Sequence, residues 1–301
     1  MNRIRTFAVL ACSLLLVGAA QAAGTLDQAK KSGKLTFGYR LDANPFSYKD
    51  DSGNAAGYSI ALCQKVADEV KADLKLASLS VSWVPVSLEE RFGALAAGKV
   101  DLLCGADTET LGRRKEVSFS IPIFLGGVGA LLRSDAPAGL VKALSERPGP
   151  SGPLWRGTPT EQLLLEQTFA VVAGTTSEKV LADRISKFQL KARVVPVKDY
   201  GEGLRAVVER KASVFFGDRP ILLAAAKRTV STSQLQVHER RFTDEQIALA
   251  VRRGDEDFRL VVDRALSREY VSAEFRTEYT KWFGEPDDRA ANFFRAVALP
   301  E

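Results

Sequence analysis

Two stretches of this sequence, far apart in the chain, carry the same wiring. "VSWVPVSLEERFGALAAGKVDLLCGADT" (81–108) can be laid on "ARVVPVKDYGEGLRAVVERKASVFFGDRP" (192–220) with a single gap. Each reads VPV, then a helical stretch, then a short apolar strand ending in glycine. An aspartate follows close behind, Asp107 in the first and Asp218 in the second. A short, continuously apolar strand suits a parallel sheet covered by helices on both faces. The β-α-β order therefore predicts an α/β architecture, although many α/β sheets share this order and the match alone is only moderate support for duplication.

The flanking sequence completes each unit. "KLTFGYR" alternates like a strand and runs into the loop "LDANPFSYKDDSGNAAG". The helix "YSIALCQKVADEVKA" follows, with its stripe of Ile60, Leu62, Cys63, Val66, Ala67 and Val70. Ser87 and Glu90 have capping-box spacing, which predicts a helix start there. In the second half "FAVVAGTTSEKVLADRI" supplies a strand, a Gly-Thr-Thr turn and a helix. Between the halves, "SDAPAGLVKALSERPGPSGPLWRGTPTEQ" is rich in Pro and Gly and reads as an irregular surface excursion. The last part is one strand and then helices, too small for a third domain. The economical solution returns the chain to the first lobe, with two connections across a cleft. The expected division is a leader at 1–22, a first lobe at 25–133 and 239–286, a second lobe at 134–238, and a C-terminal tail at 287–301.

"MNRIRTFAVLACSLLLVGAAQAAG" places Arg3 and Arg5 ahead of an apolar run from Phe7 to Ala20, and Ala20-Gln21-Ala22 has the small-x-small pattern of a cleavage site. This is the pattern of a secretory leader, and the apolar run is short for a membrane span of about 20 residues. An exported, cleaved, soluble protein of the periplasm is expected. Cys12 leaves with the leader, so Cys63 and Cys104 remain. An oxidising compartment permits a disulfide between them, and two buried free thiols are the equal alternative. No CxxC or Cys/His cluster suggests zinc. The formal charge is +5, two of it from Arg3 and Arg5, and no basic run is interleaved with aromatics. Nucleic acid is therefore not an expected partner.

In open α/β sheets, ligands bind beyond the carboxyl ends of the strands. Here "DLLCGA" is followed by Asp107, Thr108 and Arg113, "FAVVAG" by Thr175, Thr176 and Ser177, and "VFFG" by Asp218. A helix N-terminus at Thr176 offers free N–H groups to a carboxylate, an arginine fork adds bidentate recognition, and an aspartate can receive an ammonium. Taken singly, a threonine at a helix start is an ordinary cap and an aspartate after a strand an ordinary turn residue. Their joint placement at strand ends is what points to a ligand. Enzyme readings fare worse. The sole histidine, His238, sits in the charged segment "QVHERR", where surface placement is expected, and "GTTSE" lacks the lysine and glycines of a P-loop.

Laid out in this way, the sequence resembles family 3 of the extracellular solute-binding proteins, and within it the glutamate/aspartate-binding branch that serves ABC importers. The resemblance runs from about Leu26 to Pro286. It rests on "GKLTFGYR…PFSY", "GYSIALC", "WVPV" with its following arginine, "GKVDLLCG", "AGTTSE", "KDYGEG", "FFGDRPILL" and "KWFG". It implies a type II periplasmic binding protein: two α/β lobes joined by two crossing segments that close around one amino acid. Arg113 and the helix start at Thr176, with Thr175 beside it, would hold the α-carboxylate, assisted by Thr108. Asp218 would take the α-ammonium. Arg40 and Arg91 would reach the side chain, where two arginines suit a second carboxylate, because buried charges left unpaired are costly.

The sequence departs from that branch at three positions. Leu88 and Ala106 stand where serines are usual, and Tyr200 where a histidine is usual; each changes a polar contact near the ligand. The stretch after Pro137 is also longer than usual for the branch. The expectation is a monomeric receptor without cofactor that delivers an amino acid, preferably acidic, to an ABC permease of the inner membrane. The alternatives are a receptor for another polar amino acid, or a periplasmic enzyme of the cyclohexadienyl dehydratase type on the same fold, with Glu89, Glu90 or Asp107 as general acid. A sensor module is not expected, since no transmembrane or signalling segment is seen after the leader.

Overall fold

The structure is a computed structural model that describes residues 24–145, 164, 167–228 and 234–300. The leader and most of the Pro-rich stretch, 146–163, lie outside the described residues. The strands are β1 (Lys34–Tyr39), the short β2 (Asp42–Ala43), β3 (Ser47–Lys49) and β4 (Ala55–Ala56), then β5 (Ser80–Pro85), β6 (Leu102–Thr108), β7 (Val117–Gly126), β8 (Val128–Arg133), β9 (Thr168–Val172), β10 (Arg193–Val197), β11 (Val214–Asp218), β12 (Leu235–Val237) and β13 (Glu245–Arg252).

They build two five-stranded sheets, in the orders β5-β1-β6-β13-β7 and β10-β9-β11-β8-β12, while β2–β4 form a small separate sheet. In the first sheet β1 lies parallel between β5 and β6; in the second β9 lies parallel between β10 and β11. Each parallel trio is then extended by an antiparallel strand, β13 in the first and β8 in the second. The two halves therefore share one topology. They place β6, ending at Thr108, and β11, ending at Asp218, at equivalent positions.

Helices cover the sheets because their apolar stripes need burial. The helix Tyr58–Asp73 buries Ile60, Leu62, Cys63, Val66, Ala67 and Val70, the residues its periodicity singles out. It packs beside the helix Glu256–Val271, which buries Phe258, Val262 and Leu266. Cys63 on that first helix is bonded to Cys104 on β6, with 6.2 Å between Cα atoms, so the free-thiol alternative does not hold.

The chain passes between the sheets twice. The first passage is Gly127, between β7 and β8; the second runs from Val237 to Glu245. The division expected at 133/134 differs: β8 pairs with β11 and β12 in the second sheet, so the chain changes lobes before it. The two passages touch. Val128 N–H donates to Thr243 Oγ1 at 2.9 Å, and Phe242 N–H donates to the Val128 carbonyl at 2.8 Å. Gly127 has φ +152°, and a Cβ there would stand 1.9 Å from the Thr243 carbonyl oxygen. Only glycine lets the crossing strands approach so closely.

Two further expectations change. Part of the excursion after Pro137 is a helix, Ala138–Ser145, held to the second lobe by buried Leu140 and Leu144. The supposed tail contains the helix Asp288–Val297, capped by Asp287. Its Phe294 is buried against Tyr270, Phe275 and Tyr279, so aromatic burial docks this segment on the first lobe.

Candidate functional site

The strand ends face one another across the gap between the lobes. Arg40, Arg91, Ala106, Thr108 and Arg113 of the first lobe line one small cavity. Thr175, Thr176, Tyr200 and Asp218 of the second lobe close it, and Asp107 and Leu88 complete the wall. The enclosed space is about 20 Å³, so the two walls nearly meet. A larger cavity of about 540 Å³ opens between Trp282 and Pro220, but none of the expected residues lines it. The smaller one is the candidate site, because buried charges of both signs converge there.

From the first lobe, β1 ends beside Arg40, whose backbone N–H donates to Ser47 Oγ at 2.9 Å. Its Nη2 meets Asp42 Oδ1 at 2.5 Å. Glu90 N–H donates to Ser87 Oγ, and that hydroxyl donates to Glu90 Oε2. The helix after this turn starts at Arg91 (Arg91–Ala96) rather than at Ser87, and it aims Arg91 at β6. Arg91 Nε lies 2.5 Å from Asp107 Oδ1, the two residues being 4% and 3% exposed. Arg91 Nη1 donates to the Leu88 carbonyl. Arg113 opens a single 3-10 turn, Arg113–Lys115; its Nη1 donates to the Thr108 carbonyl at 2.7 Å.

From the second lobe, Thr175 caps the helix Thr176–Lys187: its Oγ1 accepts from Glu178 N–H at 3.2 Å, while Glu178 Oε2 accepts from Gly174 N–H at 2.9 Å. The Thr176 hydroxyl donates to Glu245 Oε2, on β13 of the other lobe, at 2.8 Å. Tyr200 begins the helix Tyr200–Val208. Its hydroxyl donates to Asp218 Oδ2 at 2.8 Å and accepts from Asp218 N–H at 3.0 Å. That phenol is committed to holding Asp218 in place.

The charges divide into paired and unpaired. Arg40 and Arg91 each carry a carboxylate of the chain itself, Asp42 and Asp107. This corrects the premise that two bare arginines await a second ligand carboxylate, because their neutralising partners are built in. Among the described residues, Arg113 has no carboxylate within ion-pair distance, and Asp218 has no cation within it. Asp218 Oδ1 and Asp107 Oδ2 are buried without a hydrogen-bond partner. Burial, with the nearby charge of Glu245, pushes the Asp218 carboxyl up to about 6 in spite of the Tyr200 hydrogen bond. Holding it ionised costs the fold about 3 kcal/mol, which a bound cation would offset. Burial pulls the Arg113 guanidinium down from its ordinary value. The cavity thus sets a guanidinium without a carboxylate partner on one wall and a carboxylate without a cation partner on the other.

Glu245 was not foreseen, since it lies in the returning strand and carries no motif. Asp107 was foreseen at the strand end and as a candidate general acid, but not as the partner of Arg91. His238 is half-buried rather than a surface residue: its Nδ1 accepts from Arg240 N–H and its Nε2 lies 3.0 Å from Ser145 Oγ, with no part in the cavity.

Residues 35–285 match the sequence profile of the bacterial extracellular solute-binding proteins, family 3. The chain belongs to this family. Among relatives of this family 3 solute-binding protein, the L-glutamate/L-aspartate-binding protein of Pseudomonas aeruginosa is 30% identical over 90% of this chain and 83% of its own length. The glutamate/aspartate import solute-binding protein of Escherichia coli is 26% identical over 89% of this chain and 82% of its own. An ancestral amino acid-binding protein, a precursor of cyclohexadienyl dehydratase, is 27% identical with a TM-score of 0.69, covering 87% of this chain and all of that one. The cysteine-binding protein of Campylobacter jejuni superposes with a TM-score of 0.70 over 90% of this chain and 98% of its own, and at 22% identity speaks for the fold alone. The two-lobed type II fold of this family is the one built by the two sheets described above.

Proposed function

We propose that this protein captures a free amino acid in the periplasm and delivers it to an inner-membrane ABC permease, acting as a monomer and without catalysis. The observation that carries this is the opposed pair Arg113, half-buried with no carboxylate at ion-pair distance among the described residues, and Asp218, buried with an unpartnered oxygen. Every α-amino acid presents a carboxylate and an ammonium, and each would complete one of them. Thr108 and the N-terminal N–H groups at Thr176, with Thr175, assist at the carboxylate. A space of about 20 Å³ holds roughly one water. An amino acid therefore enters only when the lobes part, and the crossing segments at Gly127 and Thr243 are where such a hinge would act.

Glutamate, aspartate and their amides are the ligand class we favour. The names of the first relatives support its acidic members, while Arg40 and Arg91 already carry Asp42 and Asp107. The leader pattern supports export. A dehydratase on this scaffold needs a free general acid in the cleft. Glu89 and Glu90 are exposed, Glu90 accepting from the Ser87 hydroxyl, and Asp107 is held by Arg91. The test is a titration-calorimetry panel of glutamate, aspartate, glutamine, asparagine and a basic amino acid. Micromolar binding, about 8 kcal/mol, is expected. No binding by any of them, or turnover of prephenate or arogenate, would overturn the reading.

A further inference from the structure

We infer that Asp107 sets the side-chain charge this cleft accepts: it occupies Arg91 as a built-in carboxylate, so that side-chain amides are taken at least as well as side-chain carboxylates. This rests on the proposed recognition of the α-amino acid by Arg113 and Asp218. The charge of Arg91 is already neutralised, although among the described residues Nη2 and one Nη1 N–H keep free donors. Its Nε is spent on Asp107 Oδ1 and its Nη1 on the Leu88 carbonyl. Both partners are almost wholly buried, so water does not loosen the pair.

A ligand carboxylate reaching this end must compete with Asp107 for Arg91 while bearing the same charge as Asp107. The two neighbouring positions that line the cavity, Leu88 and Ala106, have apolar side chains and offer no donor in compensation. Asp107 Oδ2, by contrast, is a buried acceptor without a partner in a residue that lines the cavity. A side-chain amide fits this arrangement. Its N–H₂ satisfies Oδ2, its C=O takes one of the donors left on Arg91, and no second negative charge is buried. Arg40 does not reverse the balance, since its guanidinium is shared with Asp42.

The experiment is calorimetric titration of the mature chain and of Asp107→Asn with glutamate and with glutamine. Asparagine keeps the volume and one acceptor oxygen for Arg91 but removes the charge. In the unmodified protein, glutamine is expected to bind as tightly as glutamate or more tightly. In Asp107→Asn, glutamate affinity is expected to rise at least tenfold relative to glutamine. Both ligands share the same α-groups, so a merely structural effect of the substitution moves both affinities together and leaves the ratio unchanged. Should Asp107→Asn fail to fold, Asp107→Ser is expected to shift the ratio in the same direction. An unchanged ratio, or a clear preference for glutamate over glutamine in the unmodified protein, overturns the inference with the receptor reading intact. Binding of no amino acid at all overturns both.

Discussion

The hydroxyl of Thr176 donates to the carboxylate of Glu245 at 2.8 Å, joining the helix start of the second lobe to the strand that returns to the first. Thr243 Oγ1 donates to the other oxygen, Oε1, at 2.7 Å. Glu245 is thus tied to the crossing segment and to the cleft together. It is also the charge that raises the Asp218 carboxyl most. Glu245→Gln keeps an acceptor for Thr176 and removes that charge. Asp218 then ionises at lower pH than in the parent, and the acid limb of amino-acid binding moves below pH 6, as dissociation constants measured from pH 4.5 to 8 (a range of roughly four units around Asp218) will report.

The parent protein has a pH dependence of definite sign. The Asp218 pKa of about 6 lies above the ordinary carboxyl value, so below it the free protein carries a proton that an ammonium must expel. Affinity for every amino acid is expected to be flat above pH 6 as far as this group decides it, and to fall by up to about tenfold per pH unit below. Asp218→Asn abolishes the dependence along with most of the affinity. Tyr200→Phe removes the hydrogen bond that holds Asp218 down, so the acid limb moves up instead. It also strands the Asp218 N–H, at a stability cost of about 1–3 kcal/mol in chemical denaturation.

Arg113→Ala should weaken glutamate, aspartate, glutamine and asparagine alike, by about a hundredfold or more, equivalent to roughly 2.7 kcal/mol. The α-carboxylate is common to all four, and Arg113 has no internal carboxylate to fall back on. Arg113→Lys should recover only part of the loss, since lysine has no planar fork. A variant that lost glutamate but kept glutamine would move Arg113 from the α-carboxylate to the side chain.

The Cys63–Cys104 bond closes a sequence separation of 41 residues and ties the helix Tyr58–Asp73 to the strand that ends at Thr108. Replacing both cysteines by alanine should cost about 4 kcal/mol, mainly through the freer unfolded chain, and lower the melting temperature by several degrees. Both cysteines are wholly buried and neither lines the cavity. Ligand affinity of the folded variant should therefore stay within a few-fold of the parent. A large loss would mean that the bond positions Asp107 and Thr108 rather than merely stabilising the lobe.

The helix around Cys63 and the strands "KLTFGY" and "VFFG" were legible from periodicity, because a segment's own pattern of apolar residues decides which face it buries. The strand-end rule located Thr108, Arg113, Thr176 and Asp218 for the same reason: position along one strand is local information. The edge between lobes was misplaced at 133/134, since β8 looks the same in sequence whichever sheet accepts its hydrogen bonds. The helix Asp288–Val297 likewise follows from a place to bury Phe294.

The sequence by itself determined the α/β repeat, the two-lobed family resemblance and the residue types gathered at the cleft. Tertiary structure alone decided which of those charges are spent. Arg91 and Asp107 are sixteen positions apart, and Thr176 and Glu245 sixty-nine; no spacing rule links them. Whether an arginine is free for a ligand depends on which carboxylate the fold brings within a few ångströms of it and how far water is excluded from the pair, since charge interactions fall with distance and strengthen as water is removed.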